Sequence, residues 1–266
     1  MQDLVSVIVP VYNSEKTIEK AIKSVVLQTY SNLQILVVDD CSTDNTVNII
    51  KNMAQEDSRI CYYINSKNLG VAETRNFACN QAKGTYIAFL DSDDEWYPEK
   101  LQLQLEYLSQ FEGDICYTAY EIVDKYKDNV YKKYMVPLQV SYKELLKENV
   151  ICCSTVLIKK EILDKNPFTT EYFHEDFILW LNLLKKGNIA IGLQQYLTRY
   201  TKGGRSSDKI NAMYNRWQIY RKYEHLHIIS AIYYFVFYGI NGIRKYYINK
   251  KSYTSIKHEV IRRSEI

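Results

Sequence analysis

Glycine and proline are scarce in this 266-residue chain, at nine and four residues. That excludes collagen-like and low-complexity linker proteins. The glycines form neither GxGxxG nor GxxxxGK[ST], so the backbone phosphate cradles of dinucleotide-binding and P-loop proteins are missing. HExxH and GxSxG are absent, and only four histidines are present. The six cysteines, Cys41, Cys61, Cys79, Cys116, Cys152 and Cys153, contain no CxxC pair, which removes support for a zinc ribbon or thioredoxin-type site. Most lie in apolar runs and read as free thiols in a reducing compartment. Charge is nearly balanced at +3, too mild for a general nucleic-acid binder. MQDLVSVIVP lacks the basic and long apolar regions of a signal peptide. The longest apolar-aromatic stretch, Ile228 to Ile240, falls short of the ~20 residues that span a bilayer. The expectation is a cytoplasmic protein, at most resting on the inner face of the plasma membrane.

What is present is ordinary globular composition, 47% hydrophobic and 24% charged, with 25 tyrosines as its one excess. The tyrosines suit sugar stacking or a membrane interface, or they reflect a bias that also enriches Lys, Asn and Ile. Leu4–Val11 is a β-branched run fit for a strand buried on both faces. Apolar residues at helical spacing follow from Ile18 to Val26. Leu33–Val38, Ile60–Ile64 and Thr85–Leu90 read as further strands, with helices after Asp44, over Val71–Ala82 and after Pro98. Gly84 is expected to end the Val71 helix and Gly187 the helix over Phe177–Lys186.

Such strand–helix alternation predicts an α/β fold with a doubly wound, mostly parallel sheet. The middle is less regular. Asp114–Asp124 and Tyr131–Val136 suggest a hairpin, and Ser154–Lys159, Ile189–Leu193 and Tyr196–Tyr200 suggest short strands. Everything after about Ser206 reads as helix. In an open sheet of this kind ligands bind beyond the carboxyl ends of the strands, where Tyr12-Asn13, Asp39-Asp40 and Asp91-Ser92-Asp93 fall. Acidic residues repel phosphate unless a divalent cation lies between them. A hard cation with oxygen ligands, Mg²⁺ or Mn²⁺, suits Asp91-Ser92-Asp93.

The segments VSVIVPVYN, LVVDDCSTDNT, NLGVAETRN and GTYIAFLDSDDEW resemble, in order and spacing, the N-terminal half of family 2 glycosyltransferases. His174-Glu175-Asp176 followed by Trp180 resembles the family's ED motif. RYTKGGRSS, Arg199 to Ser207, resembles a degenerate form of its Arg-Ser phosphate loop. The tail resembles those of bacterial capsular, O-antigen or teichuronic-type enzymes. The resemblance implies a GT-A fold, a Rossmann-like sheet flanked by helices. It divides the chain into a catalytic domain over 1–206, with a nucleotide-sugar half (1–97) and an acceptor half (98–206), and a helical extension over 207–266.

It also implies roles. Pro10, Val11 and Tyr12 line the nucleobase, Asp40 accepts the uracil imide N–H, and Arg75 lies near base and phosphates. Asp91, with Ser92, contacts the ribose, and Asp93 with Asp91 coordinates Mn²⁺ or Mg²⁺. Arg199 and Arg205 hold phosphate. Asp176 is the general base, with Glu175 as its substitute or as a group holding the acceptor. The implied reaction is inverting sugar transfer from a nucleotide-diphosphate donor, with uridine favoured by Asp40, to a glycan or lipid-linked acceptor. Two rival readings are a catalytically inactive sugar-nucleotide-binding scaffold, which the intact acidic motifs argue against, and a nucleotidyltransferase, which the missing glycine loop argues against. Peripheral membrane contact through the tail and homo-oligomerisation complete the expected partners; nucleic acid is not one of them.

Overall fold

The computed structural model describes residues 3–124, 129–203 and 208–247. β1 (Val5–Val11) is buried along its whole length. It lies between β2 (Leu33–Asp39) and β4 (Tyr86–Phe89), parallel to both, and β3 (Ile60–Ile64) adds to the far edge of β2. Alternation along β1 feeds two cores. Val5, Val7 and Val9 pack with Ile18, Ile22, Val25 and Leu101, from α1 (Ile18–Val26) and α4 (Lys100–Gln110). Ile8 faces the opposite way, into a core shared with Ala78 of α3 (Val71–Gln81) and with Phe177 and Trp180 of α7 (Glu175–Lys185). α2 (Thr46–Glu56) covers the first face beside α1, placing Ile50 and Met53 there.

The second half departs from a simple parallel sheet. Strand order is β3-β2-β1-β4-β8-β6-β9-β5, with β7 (Val130–Tyr134) hairpinned onto β6 (Ile115–Asp124). β8 (Leu157–Lys159) enters antiparallel between β4 and β6. The block expected to start a strand at Ser154 instead opens with a 3₁₀ turn, Cys153–Thr155. The two short strands expected after Ile189 are one, β9 (Ala190–Lys202), parallel to β6. Gln194-Gln195 bulge out of register, so that Thr118 faces Leu193 and Ala119 faces Tyr196; the extra residues gave the look of a break. β5 (Glu95–Trp96) is a two-residue strand on the edge of β9.

Gly187 does end α7, at φ +88°. Gly84 does not end α3. A Cβ there would lie 2.5 Å from the Leu4 carbonyl oxygen, so this glycine permits close backbone approach to β1. The short helices α5 (Tyr142–Lys147) and α6 (Lys160–Leu163) leave no periodic signal. The C-terminal region is helical as expected: α8 (Lys209–Gln218), a π-helical turn over Ile219–Tyr223, then α9 (Ile228–Tyr247). No described helix is long and apolar enough to cross a membrane.

Candidate active site

The carboxyl ends of β1, β2 and β4 open on one edge, and their loops are tied to one another. Pro10 and Val11 are buried at the end of β1, and Tyr12 emerges from it 48% exposed. Asn13 follows at φ +47°, a conformation asparagine tolerates. Its N–H donates to Ser42 Oγ and its Oδ1 accepts from the Thr43 N–H, both at 2.8 Å. Ser14 Oγ lies 2.8 Å from Ser92 Oγ, joining the first loop to the third.

Asp40 accepts from the Leu69 and Gly70 N–H groups at 2.8 Å and from Asn65 Nδ2 at 2.9 Å. It therefore anchors the turn that starts α3, whose Gly70 sits at φ +84°. Its neighbour Asp39 is buried at the same strand end; its Oδ2 accepts from the Ser42 N–H at 2.9 Å and its Oδ1 has no partner among the described residues.

The Asp91–Asp94 loop is clamped from behind. The Asp91 N–H donates to Ser154 Oγ (3.1 Å), which donates to Asp94 Oδ2 (2.5 Å). Asp94 Oδ1 accepts from the Thr201 N–H at 2.8 Å, and Thr201 Oγ1 donates to the Asp93 carbonyl. Trp96 Nε1 donates to the Ser154 carbonyl at 2.7 Å. Burial, then the charges of Asp93 and Asp91, push the Asp94 carboxyl well above the usual range, against the pull of Ser154 and Thr201. Asp94 is thus the latch of this loop. Only its local contacts, invisible in a DSDD string, distinguish it from Asp91 and Asp93.

Arg75 bridges the two halves. Only 2% exposed, it donates from Nη2 to Asp91 Oδ1 at 2.6 Å and from Nη1 to Glu175 Oε1 at 2.7 Å. Phe168 stacks 5.5 Å from its guanidinium carbon. Arg75 lines the cleft and directs its terminal nitrogens at carboxylates of the protein. Glu175 is 3% exposed and holds Arg75.

Asp176, next along α7, is half-buried, and its Oδ1 accepts from the Phe177 N–H at 2.7 Å. Burial first, and the Glu175 charge second, raise its carboxyl to about 6, while Arg75 and the Phe177 N–H pull it down. Such a group is ionised at neutral pH and remains basic enough to take a proton.

Pro10, Val11, Tyr12, Asn13, Ser14, Asp40, Arg75, Asp91, Ser92, Asp93, Glu175 and Asp176 line one cleft of about 1350 Å³, whose wall also takes residues of α8 and α9. Arg199 is not on its wall. Tyr200, Thr201 and Lys202 line it, whereas the Arg199 Nη1 meets Glu95 Oε2 at 3.4 Å. Arg205 lies outside the described residues. Lys16, Lys202, Lys209 and Arg216 also line the cleft, with no expectation from the sequence attached to them.

Among the described residues no group of three or more His, Cys, Asp or Glu is placed to hold a metal by itself. Mg²⁺ and its relatives need only one or two carboxylates when waters and substrate phosphates complete the shell. The oxygen donors of Asp91 and Asp93 on the cleft wall fit that pattern, with one Asp91 oxygen already given to Arg75.

Residues 6–166 match the model of glycosyl transferase family 2. The chain belongs to glycosyltransferase family 2. The Escherichia coli UDP-Glc:α-D-GlcNAc-diphosphoundecaprenol β-1,3-glucosyltransferase WfgD is 37% identical, over 94% of this chain and 97% of its own. TuaG of Bacillus subtilis, a glycosyltransferase proposed to act in teichuronic acid biosynthesis, is 36% identical over 91% and 97%. Among solved structures, a mannosyltransferase of Pyrobaculum calidifontis in complex with GDP-Man and Mn²⁺ superposes with a TM-score of 0.70 at 21% identity, covering 87% of this chain and 69% of that one. Staphylococcus aureus TarS 1-349 in complex with UDP-GlcNAc gives 0.69 at 21%, covering 91% and 73%. The architecture of this glycosyltransferase is therefore GT-A, with the two C-terminal helices contributing to the wall of its cleft.

Proposed function

We propose that this glycosyltransferase moves a sugar, with inversion, from a uridine diphosphate donor to a hydroxyl of a lipid-linked glycan in bacterial surface polysaccharide synthesis. The observation that carries the reading is the placement of Asp176, raised to about 6, in the same cleft as the Asp91–Asp93 loop. The nucleoside lies against Pro10, Val11 and Tyr12, with Asp40 on the same wall toward its imide N–H and Asp91 with Ser92 beside the ribose. Asp93 and Asp91 are the residues to hold Mn²⁺ or Mg²⁺, which when bound supplies Lewis-acid stabilisation of the departing diphosphate. Asp176 takes the proton of the acceptor hydroxyl as that oxygen attacks the anomeric carbon from the face opposite the leaving group. A base of this kind contributes about 10²–10⁴ in rate. The lipid-linked acceptor and the UDP donor are supported by the similarity to WfgD, a UDP-Glc:α-D-GlcNAc-diphosphoundecaprenol glucosyltransferase.

The test is transfer from UDP-sugars to a prenyl-diphospho-N-acetylglucosamine in the presence of Mn²⁺ or Mg²⁺. The wild type should turn over, and Asp176→Asn should lose about 10²–10⁴ of kcat while binding UDP unchanged. Transfer by the wild type should fall as pH drops through about 6. UDP binding without turnover by either protein would favour a scaffold and sink the proposal.

The same reading places the enzyme against a bilayer through α9. Ile229, Ile232, Tyr233, Val236, Ile240 and Ile243 form one helical face, exposed from 40% at Ile240 to 71% at Ile229. On the opposite face Ala231, Tyr234 and Phe235 pack against the protein. No charge interrupts Ile228–Ile243, and from Arg244 onward seven Lys/Arg stand against two Asp/Glu. Exposed aliphatics followed by net positive charge suit an anionic lipid surface. Sedimentation with anionic vesicles should retain the wild type and release Ile232→Glu/Val236→Glu; equal retention of both, or a wild type that stays free and dimeric, would refute membrane docking.

A further inference from the structure

Arg216 of α8 is only 4% exposed and lines the cleft. Its guanidinium carbon lies 3.4 Å from the ring centre of Phe177 and 4.7 Å from that of Tyr238, so it is held between α7 and α9. Arg59, Arg75 and Arg199 each meet a carboxylate. Arg216 meets none among the described residues, and its Nε and Nη1 are buried with no hydrogen-bond partner. A guanidinium out of water with idle donors is unfavourable unless an anion completes it. Stacking on two rings offsets part of this and fixes the plane of a donor fork shaped for phosphate.

We propose that Arg216 is the binding residue for the acceptor's diphosphate, the group that joins its first sugar to the lipid. The inference rests on the glycosyl-transfer reading and assigns a second anion site within it. Position separates the two diphosphates. That of the donor belongs with the Asp91–Asp93 loop, reached from the β1 and β2 ends. Arg216 belongs to a different part of the wall, on α8, held against Phe177, the residue after Asp176, and against Tyr238 of α9, with Lys209, Asn241 and Ile243 also lining the cleft. An acceptor sugar presenting its hydroxyl to Asp176 carries its diphosphate away from the donor, toward α8 and α9. There α9 has one side on the cleft and its apolar side outward, in line with a lipid tail leaving the site.

The experiment compares two acceptor probes on the full chain: a short-chain prenyl-diphospho-N-acetylglucosamine and an alkyl N-acetylglucosaminide without phosphate. The wild type should prefer the diphosphate probe. Arg216→Gln should raise KM for that probe about 10- to 100-fold, leave KM for the alkyl glycoside unchanged, and leave UDP affinity with Mn²⁺ unchanged. Arg216→Lys, which keeps the charge and folds more conservatively, should recover part of the preference. A rise in KM for both probes alike, or a loss of UDP affinity, would show a packing or donor role and overturn the inference. So would a folded Arg216→Gln with an intact preference. A wild type that binds UDP and glycosylates both probes equally overturns this inference alone, whereas one that neither transfers nor hydrolyses a UDP-sugar overturns the parent reading.

Discussion

The cleft buries two arginines, and they are partnered in opposite ways. Arg75 is bracketed by Asp91 and Glu175. Arg216 is bracketed by aromatic rings and has no carboxylate among the described residues. The first is an internal strut whose charge is satisfied by the fold. The second keeps its charge for something that arrives. Burial alone therefore does not separate a structural cation from a binding one; the partner does.

Substitution should expose that contrast most strongly at Arg75. Arg75→Met removes the counter-charge from two carboxylates, one of them buried, and breaking such a network destabilises by about 3–5 kcal/mol. Arg216→Met strands no carboxylate and should stay within about 1 kcal/mol of wild type in urea unfolding. Equal losses at both positions would erase the distinction.

Asp176→Asn should separate activity from stability. The folded carboxyl titrates near 6 against an ordinary 3.8, so the fold binds this proton more tightly than the unfolded chain does. Its contribution to stability is complete below 3.8 and disappears as pH rises through about 6. The inactive Asp176→Asn should thus melt above the wild type at pH 8, with the gap closing toward pH 4. A gap that widens on acidification would contradict this electrostatic account.

The smallest effect is expected at Arg199. Its contact with Glu95 is a half-buried pair worth about 0–1 kcal/mol, and it is off the cleft. Arg199→Gln should leave UDP affinity unchanged in calorimetry, whereas Lys202→Gln, on the cleft side of the same strand, should weaken it.

The N-terminal half was legible because strands buried on both faces give unbroken apolar runs stopped by Asp, and right-handed crossovers bring those stops to one edge. The region after α4 was less so. β5 has two residues, too few for any period, and β8 is antiparallel by tertiary choice. The Gln194-Gln195 bulge split one strand into two. At the site, acidic residues could be placed from the sequence, but their partners could not. The Arg75–Glu175 pair spans 100 positions, and the latch role of Asp94 depends on Ser154 and Thr201. The carboxylate partners of Arg75 and Arg199 went unread for this reason, since a cation in a motif does not declare which face or which anion it meets.

The Arg75 bridge also sets a gauge. It ties the loop bearing Asp91 to the first turn of the helix bearing Asp176, so the gap between them, where the proposed reaction puts the sugar, is fixed from within. Spreading that gap for a bulkier sugar would part an interior ion pair. Selection among donors then falls to the side chains rimming the slot, since widening it is the more expensive option.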